Sequence, residues 1–80
     1  MKITLLLFGA ATDLLGTSET TLEVPNNTNI ASFKSLLQEK FVALYKLNSY
    51  AIAVNETYAN DSVLLKENDT VAIIPPVSGG

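Results

Sequence analysis

The sequence predicts an α+β domain in which a mixed sheet of four to five strands carries one main helix packed on one face. Three observations lead there. Apolar residues alternate with a period of two near both ends of the chain, in 2–8 and 70–74. One segment alone, starting at Ile30, keeps a helical apolar stripe over several turns. A chain of 80 residues with 48% hydrophobic content supports one thin core and no second domain.

Residues 2–8 read as the first strand, with Ile3, Leu5 and Leu7 on one face and Lys2, Thr4, Leu6 and Phe8 on the other. The apolar run to Ala11 superficially resembles a signal peptide. It is short, follows a single basic residue, and its removal would strip a strand from a thin core, so it is read as a core strand. Gly9 to Gly16 is a connection with one helical turn around Thr12 to Leu15. Residues 18–24 form a second strand that turns Thr20, Leu22 and Val24 inward and Glu19, Thr21 and Glu23 to water, pairing with the first as a hairpin.

Pro25-Asn26-Asn27-Thr28 breaks that strand, and Asn29 (or Thr28) is the expected N-cap of the helix. Ile30, Phe33, Leu37, Phe41 and Leu44 form its stripe, and its end is placed near Phe41 or Val42. Residues 42–49 fit either a helical extension or a loop. Tyr50 to Asn55 is a strand, Asn55-Glu56 a turn, and Thr57 to Ala59 a very short strand. Leu64-Leu65 packs before a second turn at Lys66 to Asp69, where Asn68 takes the left-handed conformation. Thr70 to Ile74 is the last strand. The order ββαβ(β)β, with strand 1 parallel to the last strand mid-sheet, is the β-grasp, ubiquitin-like arrangement. The expected division is a β-grasp domain over 1–74 and an extended tail over 75–80.

In that register Val71, Ile73, Ile52 and Val54 join the first strand's core residues. The other sheet face then carries Leu6, Phe8, Ala51, Ala53, Ala72 and Ile74, where a solvated face would alternate to polar residues. One reading leaves Leu6 and Phe8 simply exposed or covered by 42–49. The other makes this face a docking surface, flattened by alanines and anchored by Leu6, Phe8 and Ile74. The partner-interface residues are therefore Leu6, Phe8, Ala53, Ala72 and Ile74.

Composition narrows the chemistry. The chain has no Cys, His or Trp, so it lacks a thiol nucleophile, a disulfide framework and the commonest general base and metal ligand. Its eight acids are scattered without calcium-loop spacing, so no metal site and no catalytic residue are expected within the chain. Five lysines, no arginine and a net charge of −3 argue against nucleic acid as a partner. No run approaches the about 20 apolar residues of a membrane span. A soluble, cytoplasmic protein is expected.

The chain ends Ile74-Pro75-Pro76-Val77-Ser78-Gly79-Gly80. Two prolines stop the strand and favour an extended path of about 3.1 Å per residue. Six residues from Pro75 would then reach roughly 18 Å from the body. Gly79-Gly80 has no side chains and fits a channel wide enough only for backbone. A terminal carboxylate is a poor electrophile. Once activated with ATP as an acyl-adenylate, it is open to displacement by a sulfur source, which gives a nucleophilic thiocarboxylate. A frayed terminus is the plain alternative.

With the tail and the element order in hand, the chain resembles the molybdopterin synthase small-subunit family over its whole length. The resemblance lies in the strand ending at Phe8, Leu14-Leu15-Gly16, Ala53-Val54-Asn55 and Asn68-Asp69-Thr70-Val71-Ala72. Its most specific element is Pro75-Pro76-Val77-Ser78-Gly79-Gly80, since related thiamine-pathway carriers usually lack the Pro-Pro-Val-Ser segment. The resemblance implies that Gly80 is adenylated by a ubiquitin-activating-like adenylyltransferase using ATP and then thiocarboxylated, with no cofactor bound permanently. It implies insertion of Pro75, Pro76, Val77, Ser78 and Gly79 into the large subunit, and sulfur transfer there to cyclic pyranopterin monophosphate. It further implies a heterotetramer with two of each subunit and apolar partner contacts at Phe8 and Ile74. Thr12-Asp13 replaces the family's Arg-Glu pair, and Asn68-Asp69 its usual Gly-Asp turn. The alternatives are a sulfur carrier for thiamine or tRNA thiolation, a ubiquitin-like modifier, or a plain binding module.

Overall fold

A computed structural model describes residues 1–47 and 49–75. Strand β1 (Lys2–Leu7) leads through a short helix α1 (Ala10–Leu15) into β2 (Glu19–Glu23). Helix α2 (Ile30–Lys40) and a 3₁₀ helix (Val42–Lys46) follow, then β3 (Ala51–Val54), β4 (Thr57–Tyr58) and β5 (Thr70–Ile74). The five strands form one mixed sheet in the order β2-β1-β5-β3-β4. β1 and β5 are parallel and both interior, and the other pairs are antiparallel. This is the expected β-grasp arrangement.

The period of two is seen directly in β1, where Ile3, Leu5 and Leu7 are buried. They meet Ile52 of β3, Val71 and Ile73 of β5, and Ile30, Phe33 and Leu37 of α2 in one core. Complete burial of each such side chain contributes about 1.5–3 kcal/mol. Helix α2 starts where the sequence places it: the Asn29 side chain accepts a hydrogen bond from the Ser32 amide at 2.8 Å. Such a cap contributes about 1 kcal/mol.

The helical stripe divides at Phe41. Its backbone (φ −125, ψ 77) ends α2 at Lys40, and Leu44 reaches the core from the 3₁₀ helix instead. Residues 42–46 are thus neither an extension of α2 nor a loop; Asn48 lies outside the described residues. The connection after β1 is more helical than expected, since α1 begins at Ala10 and buries Ala11. Val54 is half-buried rather than fully in the core, as it sits at the end of β3 beside an open pocket. Asn68 is left-handed as expected (φ 69), as are Asn55 and Glu56 in the β3–β4 turn. No helix among the described residues is long and apolar enough to cross a membrane.

Candidate functional site

The parallel pairing of β1 and β5 sends both central strands toward the same end of the sheet. Their register sets Leu5 beside Val71, Leu6 beside Ala72 and Leu7 beside Ile73. The ladder stops there for two reasons. Pro75 has no amide to donate, and β1 turns away at Gly9 (φ 53, ψ −129) into α1. A Cβ placed on Gly9 would lie 3.8 Å from Cγ of Pro75, so the Pro75 ring stands beside the Gly9 turn. The turn is tied down by the Ala11 and Thr12 amides, which donate to the Phe8 and Gly9 carbonyls at 3.0 Å each. The Thr12 hydroxyl donates to the Leu7 carbonyl at 2.8 Å.

The face away from α2 carries the remaining residues of interest. One rung crosses the whole sheet: Glu19, Leu6, Ala72, Ala53 and Tyr58 are successive register partners. The next row toward the chain exit pairs Ile74 with Ala51. In the opposite direction the face turns polar, through Thr4, Thr21 and Thr70. The apolar half of the face is therefore the half beside Pro75.

Its residues are not equally available. Phe8 is 49% exposed and Tyr58 71%, whereas Ala53 is only 6% exposed between its two strand neighbours. Leu6, Ala72 and Ile74 are half-buried. The structure thus brings Leu6, Phe8, Ala53, Ala72 and Ile74 to one face, with Phe8 as the prominent side chain. Tyr58 belongs to the same face and was not legible in the sequence, because a two-residue strand has no period to read. Its register against Ala53 is the signal.

The other end of β5 is anchored by polar side chains. Asp69 is buried; its Oδ1 accepts from Asn55 Nδ2 at 2.9 Å and its Oδ2 from the Lys66 amide at 2.7 Å. A pocket of about 230 Å³ lies alongside, lined by Val54, Tyr58, Val63, Leu64 and Lys66 among others. Its one carboxylate, Asp69, is already spent on structural hydrogen bonds, so the pocket offers no free carboxylate. Burial raises the Tyr50 phenol above its ordinary value of 10.0, while the Lys34 ammonium and the Gln38 amide oppose that shift. Among the described residues no three acidic side chains converge as a metal site. Pro76, Val77, Ser78, Gly79 and Gly80, named from the sequence as tail and attachment point, lie outside the described residues; Pro75 is within them.

Comparison with known proteins places this geometry. A family model described as the ThiS family matches residues 5–80. A molybdopterin synthase sulfur carrier subunit from Arabidopsis thaliana is 37% identical over 81 residues, covering 100% of this chain and 84% of its own. Among solved structures, SAMP1 from Haloferax volcanii superposes with a TM-score of 0.87 at 19% identity, covering 100% of both chains. A complex of subunits 1 and 2 of the molybdopterin-converting factor from Helicobacter pylori gives a TM-score of 0.72 at 27% identity, again covering 100% of both chains.

Proposed function

Since the chain belongs to the ThiS family, we propose that it is the sulfur-carrier small subunit of a molybdopterin synthase and that Gly80 carries the sulfur. The observation that carries this reading is the reach of the similarity. The family match runs to Gly80, and the Arabidopsis carrier subunit aligns with the whole chain. The geometry supports it, because the chain leaves an interior strand at Pro75 beside the apolar half of the sheet face. A partner bound to that face lies next to the departing tail.

The chemistry divides between carrier and partners. On a ubiquitin-activating-like adenylyltransferase, the Gly80 carboxylate attacks the α-phosphorus of ATP and pyrophosphate leaves. A hydrosulfide equivalent adds to the acyl carbon of the adenylate, AMP departs, and a thiocarboxylate remains. The tail from Pro75 to Gly79 then enters the large subunit. There the sulfur attacks an oxygen-bearing carbon of cyclic pyranopterin monophosphate, the carbon–oxygen bond breaks and that oxygen departs with its electron pair, and water cleaves the acyl–sulfur bond. The sulfur stays on the pterin and Gly80 recovers its carboxylate. A dithiolene has two sulfurs, so two loaded carriers are consumed per product, in keeping with a heterotetramer of two small and two large subunits. With no His or Cys, this chain supplies the sulfur-bearing carboxyl group and the address, and the partners supply acid–base catalysis.

The test is intact-mass measurement after incubation with the source organism's adenylyltransferase, ATP and sulfide. The oxygen-to-sulfur mass increase at Gly80 is expected, followed by conversion of the pterin precursor on addition of the large subunit. A chain that gains no sulfur, or one that gains it but instead becomes linked to lysines of other proteins, overturns the reading. Adding one residue after Gly80 should abolish transfer with the fold unchanged.

A further inference from the structure

We propose that Gly9 is a positioning residue: by lying against Pro75 it sets the direction in which the chain leaves the domain. The consequence for activity rests on the carrier reading above; the contact itself does not.

Gly9 adopts φ 53 and ψ −129, a conformation that side-chain-bearing residues rarely take. Its absent Cβ would stand 3.8 Å from the Pro75 ring. A methyl there makes an ordinary contact, but a β-branched side chain extends past that distance onto the ring. One of the two must then give way. The Gly9 side is held firmly: Thr12 bonds the Leu7 carbonyl through its hydroxyl and the Gly9 carbonyl through its amide, and Ala11 is fully buried. Among the described residues the β5 ladder ends at Ile74, one residue before Pro75. Crowding at Gly9 therefore deflects Pro75, and the ring's fixed φ passes the deflection on to the chain that follows.

The location gives the contact its importance. Phe8, the prominent apolar side chain of the sheet face, immediately precedes Gly9. Two consecutive residues thus relate the surface suited to docking to the vector of the departing chain. Displacing a reacting group by about 1 Å costs up to about 10²-fold in rate, so the relation between dock and exit is one that transfer depends on.

The experiment compares Gly9→Val, Gly9→Ala, Pro75→Ala and the double variant Gly9→Val/Pro75→Ala in the full chain. Thiocarboxylation is followed by intact mass, and partner affinity by titration with the large subunit. Gly9→Val is expected to lower kcat for sulfur loading about tenfold or more with little change in KM. Gly9→Ala carries the same backbone strain without crowding the ring and sets the baseline, and removing the Pro75 ring should return Gly9→Val to that baseline. A loss of stability alone would not be rescued at Pro75. Wild-type kcat in Gly9→Val, or no rescue in the double variant, overturns the proposal. NMR of the unsubstituted chain gives a second measurement that needs neither variant folding nor activity. A nuclear Overhauser effect between the Gly9 α-protons and the Pro75 ring is expected, and its absence overturns the proposal. An unsubstituted chain that shows this contact but never acquires sulfur would sink the carrier reading alone.

Discussion

Asn55 and Asp69 fasten two turns together: the Asn55 amide nitrogen donates to Asp69 Oδ1 at 2.9 Å, and its oxygen accepts from the Thr70 amide at 2.9 Å. The Asn55 backbone amide in turn donates to the Thr70 carbonyl at 2.8 Å. This places the β3–β4 turn against the first residue of β5, the strand that ends at Pro75. Asp69→Ala leaves the Lys66 amide and the Asn55 side-chain nitrogen without their partners and should cost about 2–3 kcal/mol. Asn55→Ala should cost a similar amount, and the double variant clearly less than the sum, because the two act in one network. Urea unfolding of all three variants checks this; full additivity would show that the side chains act separately.

The neighbouring turn carries a correctable strain. Asn55 (φ 50) and Glu56 (φ 72) are the two central residues of a two-residue hairpin loop between the paired Val54 and Thr57. Positive φ at both positions is the type I′ geometry that favours Asn-Gly. Holding Glu there costs about 1–2 kcal/mol, whereas glycine adds unfolded-state entropy of about 0.5–1 kcal/mol. Glu56→Gly should therefore raise stability by roughly 0.5–1 kcal/mol net. A lower thermal midpoint for Glu56→Gly would contradict this balance.

These turns also mark what the sequence made legible. Alternation in β1 and β5 and the Asn29 cap were readable because each is local: a period, or one side chain and the amide three residues on. The start of α1 was not, because a six-residue helix is too short to show a stripe and Gly9 reads as a breaker. Leu44 reaches the core as its spacing suggested, but from a 3₁₀ helix, since the break at Phe41 leaves no mark in the apolar pattern. For the candidate site, the apolar face followed from the central strands alone. Tyr58 and the Gly9–Pro75 contact required the register of strands distant in sequence.

Tyr50 makes stability depend on pH at the alkaline end. Burial raises its phenol above 10.0, with Lys34 and Gln38 pulling in the opposite direction. The folded chain therefore holds the proton to higher pH than the unfolded chain does. Its contribution is fully present below the unfolded value and is lost as pH rises through the folded one. Thermal midpoints should fall as pH is taken above about 10, and Tyr50→Phe should flatten the Tyr50 part of that fall. Identical alkaline profiles for the two proteins would remove Tyr50 from the account.

Phe8 and Tyr58 stand on the same sheet face, 49% and 71% exposed, with the Leu6–Ala72–Ala53 rung between them. Neither side chain belongs to the buried core, so changing either should leave stability within about 0.5 kcal/mol. Large exposed aromatics flanking small, flat residues suit the anchors of an interface, where truncation costs about 2 kcal/mol or more. Phe8→Asp should accordingly weaken binding to the large subunit about 30-fold or more, since it also buries a charge opposite an apolar surface. Tyr58→Ala should weaken it less, because β4 is the sheet edge farthest from β1 and its aromatic side chain lies at the rim. The pattern discriminates between a docking face and a merely exposed one. Calorimetric titration that finds both variants binding like the unsubstituted chain, with melting unchanged, would leave the apolar half of the sheet without a partner and detach the tail's exit from the surface beside it.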